Sequence, residues 1–192
     1  MAALASVRPA LPSDSLWAVP LIAATIGTIG RTLTGKTSDQ ATRTVLAPFF
    51  ETAGNRLSFA QTLIAELDGR PVGLAVSYAG DQAVVLDEPF HARLRQIGLP
   101  DRIQTEAEPD EWYLDTLATA PAFRGRGVGR ALVWAVTAQA RSAGWTRLGL
   151  LVDLDNPDAQ HFYDHLGFRE VGQRDVAGGH YLHLAYELDD LS

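Results

Sequence analysis

The sequence predicts a single α/β domain in which a β-sheet is covered by helices on its faces. In the first half, two strand-like segments are joined by a tight turn, and in the second half strands alternate with amphipathic helices. The chain has 192 residues, of which 46% are hydrophobic and 20% charged, as in a globular protein with one core. No internal repeat divides it, so residues 1–192 are expected to form one domain.

The first half is predicted to contain an edge strand, two helices and a hairpin. Pro20 and two glycines weaken the first helix, and Asp68-Gly69 marks the hairpin turn. Residues 87–111 are acidic and interrupted by proline, so we expect a surface excursion around a short helical piece at 90–97, of the kind that borders substrate sites. The strands are expected at 7–9, 61–67 and 72–78, and the helices at 14–33 and 39–52.

The second half is predicted to alternate strictly between strand and helix. Val128, Leu132 and Val136 follow helical spacing up to a stop at Gly144. Asn156 can cap a further short helix that starts with Pro157, buries Ala159, Phe162 and Leu166, and ends before Gly167. The strands are expected at 112–119, 147–152 and 181–188, and the long helix at 127–142.

Charge and cysteine content exclude several classes of function. The net charge of −7 disfavours nonspecific binding to nucleic acid, which depends on Lys and Arg, and favours a cationic partner. The chain has no cysteine, which excludes disulfides, thiolate metal sites and a cysteine nucleophile. The apolar stretch 16–29 contains Pro20 and Gly27 and lacks a basic leader, so we expect neither a membrane anchor nor a signal peptide, and a cytoplasmic protein.

The most informative segment runs from a strand through a glycine-rich loop into a helix, at residues 113–130. Glycines at 125, 127 and 129 let the backbone turn sharply, so that free N–H groups of the first helical turn can surround a phosphate. Arg124, Arg126 and Arg130 add positive charge. The same spacing also fits an ordinary turn with solvated arginines.

Two motifs in this half resemble those of the GNAT superfamily of N-acyltransferases. They are Arg124-Gly-Arg-Gly-Val-Gly129 and Asn156-Pro-Asp-Ala-Gln-His-Phe-Tyr-Asp-His-Leu-Gly-Phe168, in the family's order and spacing. The stretches 55–60 and 65–73 are similar to the family's early strands. The resemblance implies a mixed, mostly antiparallel sheet flanked by helices, with a cofactor-binding core at about 112–168.

The resemblance also implies direct transfer of an acetyl group from acetyl-CoA to an amine, with no resident metal. The amine would be a small molecule or a peptide, and the protein a possible homodimer. Tyr163 would be the general acid for the CoA sulfur, although a plain core tyrosine is the alternative. Asn156 would bond the pantetheine arm or simply cap its helix. The remaining cofactor contacts would come from Leu117, Ala118 and Thr119 on a splayed strand and from Arg124, Gly125, Arg126, Gly127, Val128, Gly129 and Arg130.

Asp115 is the candidate base or substrate anchor. It is a carboxylate inside an apolar strand, where burial would raise its pKa, and period-two alternation places it on the side of Leu117 and Thr119. A structural hydrogen bond is the alternative role for Asp115. The neighbouring Glu108, Asp110 and Glu111 are expected to be solvated.

Three other hypotheses remain. Gly30-Arg-Thr-Leu-Thr-Gly-Lys-Thr37 satisfies the P-loop pattern, but the residues before it favour a helix rather than the required strand. A noncatalytic acyl-CoA-binding module of the same fold would share the cofactor motifs. His161 and His165 have the spacing of a helical metal pair but lack the intervening Glu, so surface histidines are expected.

Overall fold

The computed structural model describes residues 5–188, which form one seven-stranded sheet flanked by five helices. The strand order is β1-β2-β3-β4-β5-β7-β6, and every neighbouring pair is antiparallel except β4 and β5. The predicted fold class is therefore confirmed. The strands are β1 (Ser6–Pro9), β2 (Thr62–Leu67), β3 (Arg70–Ala79), β4 (Trp112–Thr119), β5 (Arg147–Asp153), β6 (Arg169–Val176) and β7 (Gly179–Glu187).

The helices cover both faces of the sheet. One face packs against α4 and α5 through a cluster that includes Leu132, Val136, Leu148 and Phe168. The other face packs against α1 and α2 through a second cluster that includes Ile22, Leu46 and Leu74. The helices are α1 (Ser15–Thr34), α2 (Asp39–Glu51), α3 (Ala83–Gln96), α4 (Val128–Ser142) and α5 (Pro157–His165).

Two elements differ from the sequence prediction. Helix α3 starts at Ala83, so residues 87–96 are helical, and only the segment 97–111 forms an irregular excursion. Strand β6 was not predicted, because its sequence is mostly polar and only Val176 is buried, as suits the edge of a sheet. The turn to β7 places Ala177 and Gly178 at positive φ, which makes a tight hairpin.

Helix α1 lies within one residue of its expected bounds and is broken in the middle. With the preceding turn it covers Pro12–Thr34, 23 residues that include an 18-residue window with a mean hydropathy of 1.4, which is long and apolar enough to cross a membrane by length and composition. Length and composition alone do not separate a membrane helix from a core helix. Here Ala18, Ile22 and Leu33 lie in the core. Gly27 has φ 45° and ψ −113°, which interrupts the helix.

The P-loop hypothesis is wrong. Residues 30–34 form the last turn of α1, and Gly35 is its left-handed cap with φ 63°. A P-loop instead follows a strand and leads into a helix start that holds the phosphates. The segment therefore ends one helix, and Ser38 caps the next by accepting a hydrogen bond from the Ala41 N–H.

Candidate functional site

The main cleft lies where β4 and β5 separate. These parallel strands pair only at Trp112 with Leu148 and at Tyr113 with Gly149, after which they diverge. The splay that the resemblance implied is therefore present. The resulting cleft has a volume of about 550 Å³ and opens between the two helical layers. Its walls come from β4, β5, α5, Tyr181 of β7, Glu106 and the broken part of α1, residues 25–29.

The backbone of β4 beyond Tyr113 has one free edge. The Ala120 N–H donates to the Val72 carbonyl at 2.8 Å, so by antiparallel alternation the backbone groups of Ala118 also face β3. Those of Leu117 and Thr119 face the opening and lack a strand partner. Ala118 has its side chain in the core. The free backbone edge is therefore that of Leu117 and Thr119, and of these three residues only Leu117 lines the cleft.

The glycine-rich loop ends at the start of α4, one residue later than predicted. Gly125 and Gly127 have φ of 72° and 80°, a region that side chains other than glycine rarely adopt, and Gly127 is the N-cap. Gly129 has a different reason to be glycine: a Cβ there would lie 3.3 Å from the ring of Phe162 in α5. The first N–H groups of α4 have no acceptor within the helix.

The three arginines of this loop are exposed and surround the helix start. Within residues 5–188, Arg124, Arg126 and Arg130 form no ion pair, in contrast to Arg95 or Arg174. The Arg126 guanidinium lies 5.3 Å from the centre of the Phe123 ring. Unpaired cations beside free N–H groups at a helix start are able to bind an anion.

Helix α5 contributes Asn156 and Tyr163 to the cleft wall. The Asn156 side chain accepts a hydrogen bond from the Ala159 N–H at 3.1 Å, which confirms the predicted cap. Tyr163 was expected at the rim of the apolar stripe, yet it is more buried than Phe162, with 8% exposure. Burial raises the pKa of the Tyr163 phenol, so the hydroxyl stays protonated at neutral pH.

Asp115 lies on a β-bulge, which changes the direction of its side chain. Val76 pairs with Thr116 and Ser77 with Leu114, so Asp115 is an extra residue in β4. Its carboxylate bonds Arg56 and the Tyr78 hydroxyl on the α1 and α3 side of the sheet. Leu117 packs on the α4 side. The prediction that Asp115 points to the side of Leu117 and Thr119 is therefore wrong. Asp115 and Leu117 nevertheless both line the cleft, whereas Thr119 does not.

A buried polar network surrounds Asp115, and sequence reasoning missed it. Its centre is Arg56, whose side chain is 1% exposed and contacts three carboxylates. Arg56 was noted only as part of an early strand, and no local pattern distinguishes a buried arginine from a solvated one. The excursion that carries Glu106 was expected to border the site, but Glu106 itself was not singled out. The network consists of Arg56, Tyr78, Asp87, Glu106, Tyr113 and Asp115.

The remaining polar residues that the sequence analysis discussed differ in their burial. Glu111 was expected to be solvated but is fully buried, where it contacts His183 Nε2 at 2.9 Å and fills the space left by Gly149. Glu108 pairs with Arg174, and Asp110 is exposed. His161 and His165 are exposed on α5, as expected, with ring centres 4.0 Å apart.

Comparison with known proteins agrees with this geometry. Residues 34–168 match the family model described as the acetyltransferase (GNAT) family. A solved acetyltransferase shares 30% identity and a TM-score of 0.74, with 96% of this chain and 100% of that one covered. An N-acetyltransferase from Staphylococcus aureus Mu50 shares the fold, with a TM-score of 0.79 at 23% identity, over 94% of this chain and 100% of that one.

A curated relative, GCN5-related N-acetyltransferase 4 of the chloroplast from Arabidopsis thaliana, is 34% identical over 59 residues. The match covers 31% of this chain and spans only 20% of that relative's length. The family match over residues 34–168, together with the open β4 edge and the glycine-rich start of α4, leads to one conclusion: the chain belongs to the GNAT family of acyl-CoA-dependent N-acetyltransferases.

Proposed function

We propose that this chain transfers an acetyl group from acetyl-CoA directly to an amine within the cleft between β4 and β5. The observation that carries the proposal is the arrangement along this cleft: an unpaired strand edge leads from a cationic helix start to Tyr163. The family uses acetyl-CoA as its acetyl donor, and the described residues offer a matching group for each part of that molecule.

The donor would be held by its charge and by its amides. Residues 124–130 present free N–H groups and three unpaired arginines to the pyrophosphate. Leu117 and Thr119 offer backbone groups to the amides of the pantetheine arm, in the manner of an added strand. Asn156 uses its side-chain oxygen for the cap of α5, which leaves its NH₂ group to reach the arm.

The chemistry needs a free amine and a stable leaving group. The nitrogen attacks the thioester carbonyl carbon, the C–N bond forms, and the C–S bond breaks as the carbonyl is restored. The Tyr163 hydroxyl, whose raised pKa keeps it protonated, gives its proton to the departing sulfur. No covalent enzyme intermediate is required, and the chain has no cysteine to form one.

The acceptor side of the cleft supports a cationic amine. Glu106, Asp115, Asp153 and Asp155 line it, and no Lys or Arg is among the lining residues in the part of the chain that the structure describes. The broken turn of α1 at Gly27 forms the facing wall. Carboxylates at a cleft wall attract ammonium groups and orient them.

The proposal is tested by thiol release from acetyl-CoA in the presence of an amine panel: 1,6-diaminohexane, lysine amide and short peptides with free N-termini. Amine-dependent release of CoA, with the acetylated amine identified by mass spectrometry, is the expected result. Binding of acetyl-CoA without release with any amine would instead identify a noncatalytic acyl-CoA-binding module. The cytoplasmic location and the possible homodimer stay predictions.

A further inference from the structure

Glu106 reaches the cleft from outside the sheet. It lies on the 97–111 segment between α3 and β4, and its side chain is 4% exposed, yet it lines the cleft together with Asp115. One carboxylate oxygen bonds Arg56, and the other accepts a hydrogen bond from the Tyr113 hydroxyl at 3.1 Å. These two contacts hold the carboxylate in place and leave each oxygen a free lone pair.

Asp115 is engaged more fully than Glu106. Its Oδ2 accepts hydrogen bonds from Arg56 Nε at 2.7 Å and from the Tyr78 hydroxyl at 2.9 Å, and Arg56 Nη2 lies 2.5 Å away. Its Oδ1 accepts from the Thr116 hydroxyl at 2.9 Å. A carboxylate that accepts from so many donors is held in place as the partner of the guanidinium.

The charge of the network leaves room for one more proton. A single guanidinium faces three buried carboxylates, those of Asp87, Glu106 and Asp115. Burial raises the pKa of both Glu106 and Asp87, although Arg56 opposes the shift. Glu106 lines the cleft, whereas Asp87 does not. The proton-accepting position with access to a ligand is therefore that of Glu106.

We propose that Glu106 accepts the proton of the acceptor ammonium group, and that Arg56, Tyr113 and Asp115 are positioning residues that hold Glu106 against the cleft. This inference rests on the proposed acetyl transfer. Glu106 takes one proton from the ammonium group and releases it to water. After the amine has attacked, its nitrogen loses a second proton, and this proton restores the Tyr163 hydroxyl that has protonated the sulfur. The overall reaction therefore releases one proton for each acetyl group transferred.

The proposed role of Glu106 predicts how kcat/KM depends on pH, because a base must be deprotonated to act. Only the Glu106 carboxylate can take a proton, so kcat/KM is expected to rise with pH through the pKa of Glu106 and then to level off. The raised pKa moves this limb above the range of an ordinary glutamate. The titratable or charged groups around Glu106 are Arg56, Tyr78, Asp87, Tyr113, Asp115 and Tyr181.

The test compares Glu106→Gln with Asp87→Asn, a matched change in the same network that does not reach the cleft. Glu106→Gln is expected to lower kcat/KM for the reactive amine about 10²–10⁴-fold at neutral pH and to remove the acidic limb. Its affinity for acetyl-CoA should stay that of the unmodified protein. Asp87→Asn should keep the acidic limb. A Glu106→Gln variant with the original rate and limb would overturn the proposal, as would an Asp87→Asn variant that alone loses the limb.

A second measurement needs neither turnover nor a variant. Titration of the ¹³C-labelled glutamate carboxyls by NMR reports the midpoint of Glu106 in the unmodified protein. The expected midpoint lies above about 4.3, the ordinary glutamate value. A midpoint at or below that value overturns the role of Glu106, even if amines are acetylated. If no amine in the panel releases CoA, the proposed acetyl transfer fails instead, so the two failures are distinguishable.

Discussion

Tyr163 combines burial with access to the cleft, which suits a proton donor. Its ring packs against Phe168, with centres 5.4 Å apart, and it also lines the cleft. We expect Tyr163→Phe to keep acetyl-CoA affinity, because the ring and its packing remain. Turnover should fall toward the low end of the ~10²–10⁴-fold range of general acids, since a thiolate leaves readily. Calorimetry and thiol release measure the two quantities, and an unchanged kcat would show that the hydroxyl is not needed as an acid.

Asp115→Asn separates the roles that a carboxylate can have at this position. A base would lose the acidic limb of the pH–rate profile, and an anchor for a cationic substrate would mainly raise KM. The bulge and the contacts with Arg56 favour a third outcome: the melting temperature falls while the acidic limb stays, because a buried guanidinium loses a charged partner. Thermal melts and pH–rate profiles of this variant distinguish the three roles. A flattened acidic limb of the pH–rate profile with an unchanged melting temperature would identify Asp115 as the base.

For single residues, the sequence predicted the structural role correctly where that role depends on a few neighbouring residues. Asn156 caps α5 and Gly127 precedes α4 with positive φ, because these preferences depend on a few adjacent residues. Asp115 was placed on the wrong face, since the bulge depends on the pairing of β4 with β3, a partner distant in sequence. The buried Arg56 and Glu111 were missed for the same reason: each is stabilised by groups brought together only by the fold.

Among the elements, the loop before α4 is the most sensitive to substitution. Gly127→Val is expected to abolish acetyl-CoA binding, because valine rarely adopts φ near 80° and its side chain would stand where the phosphates approach. Gly144→Val is the matched control: Gly144 has φ 84°, and a Cβ would meet no neighbour within 4 Å, but it lies past the far end of the same helix. The control should lose stability and keep its affinity. Unchanged calorimetric affinity in a folded Gly127→Val variant would contradict the assignment of the loop.

The helices and strands also show which elements the spacing of apolar residues can predict. The α4 and α5 helices and the β4 and β5 strands were predicted within one or two residues, because their apolar positions repeat at helical or strand spacing and their ends carry glycine or proline. Strand β6 has no such repeat, since an edge strand with one buried residue needs little apolar surface. The early part of α3 was hidden by Pro89, which the helix accommodates in its middle.

On the scale of the whole molecule, the cleft connects the two faces of the sheet. Tyr163 and the start of α4 belong to one face, and Glu106, Asp115 and Gly27 to the other. The proposed direct transfer requires both substrates to be bound at once, and this arrangement offers each of them its own face. Initial rates at varied concentrations of acetyl-CoA and amine should give intersecting double-reciprocal lines. Parallel lines would indicate a covalent acetyl-enzyme and would contradict direct attack.

The free edge of β4 also predicts that acetyl-CoA stabilises the folded protein against degradation. A ligand that binds only the folded chain stabilises it, by about 2.7 kcal/mol when its concentration is 100 times its dissociation constant. Acetyl-CoA that fills the gap beside Leu117 and Thr119 would satisfy backbone groups that β5 leaves unpaired. A cell short of acetyl-CoA would then hold more of this protein in open, protease-sensitive forms, so that nutrient supply would set the amount of the enzyme as well as its rate.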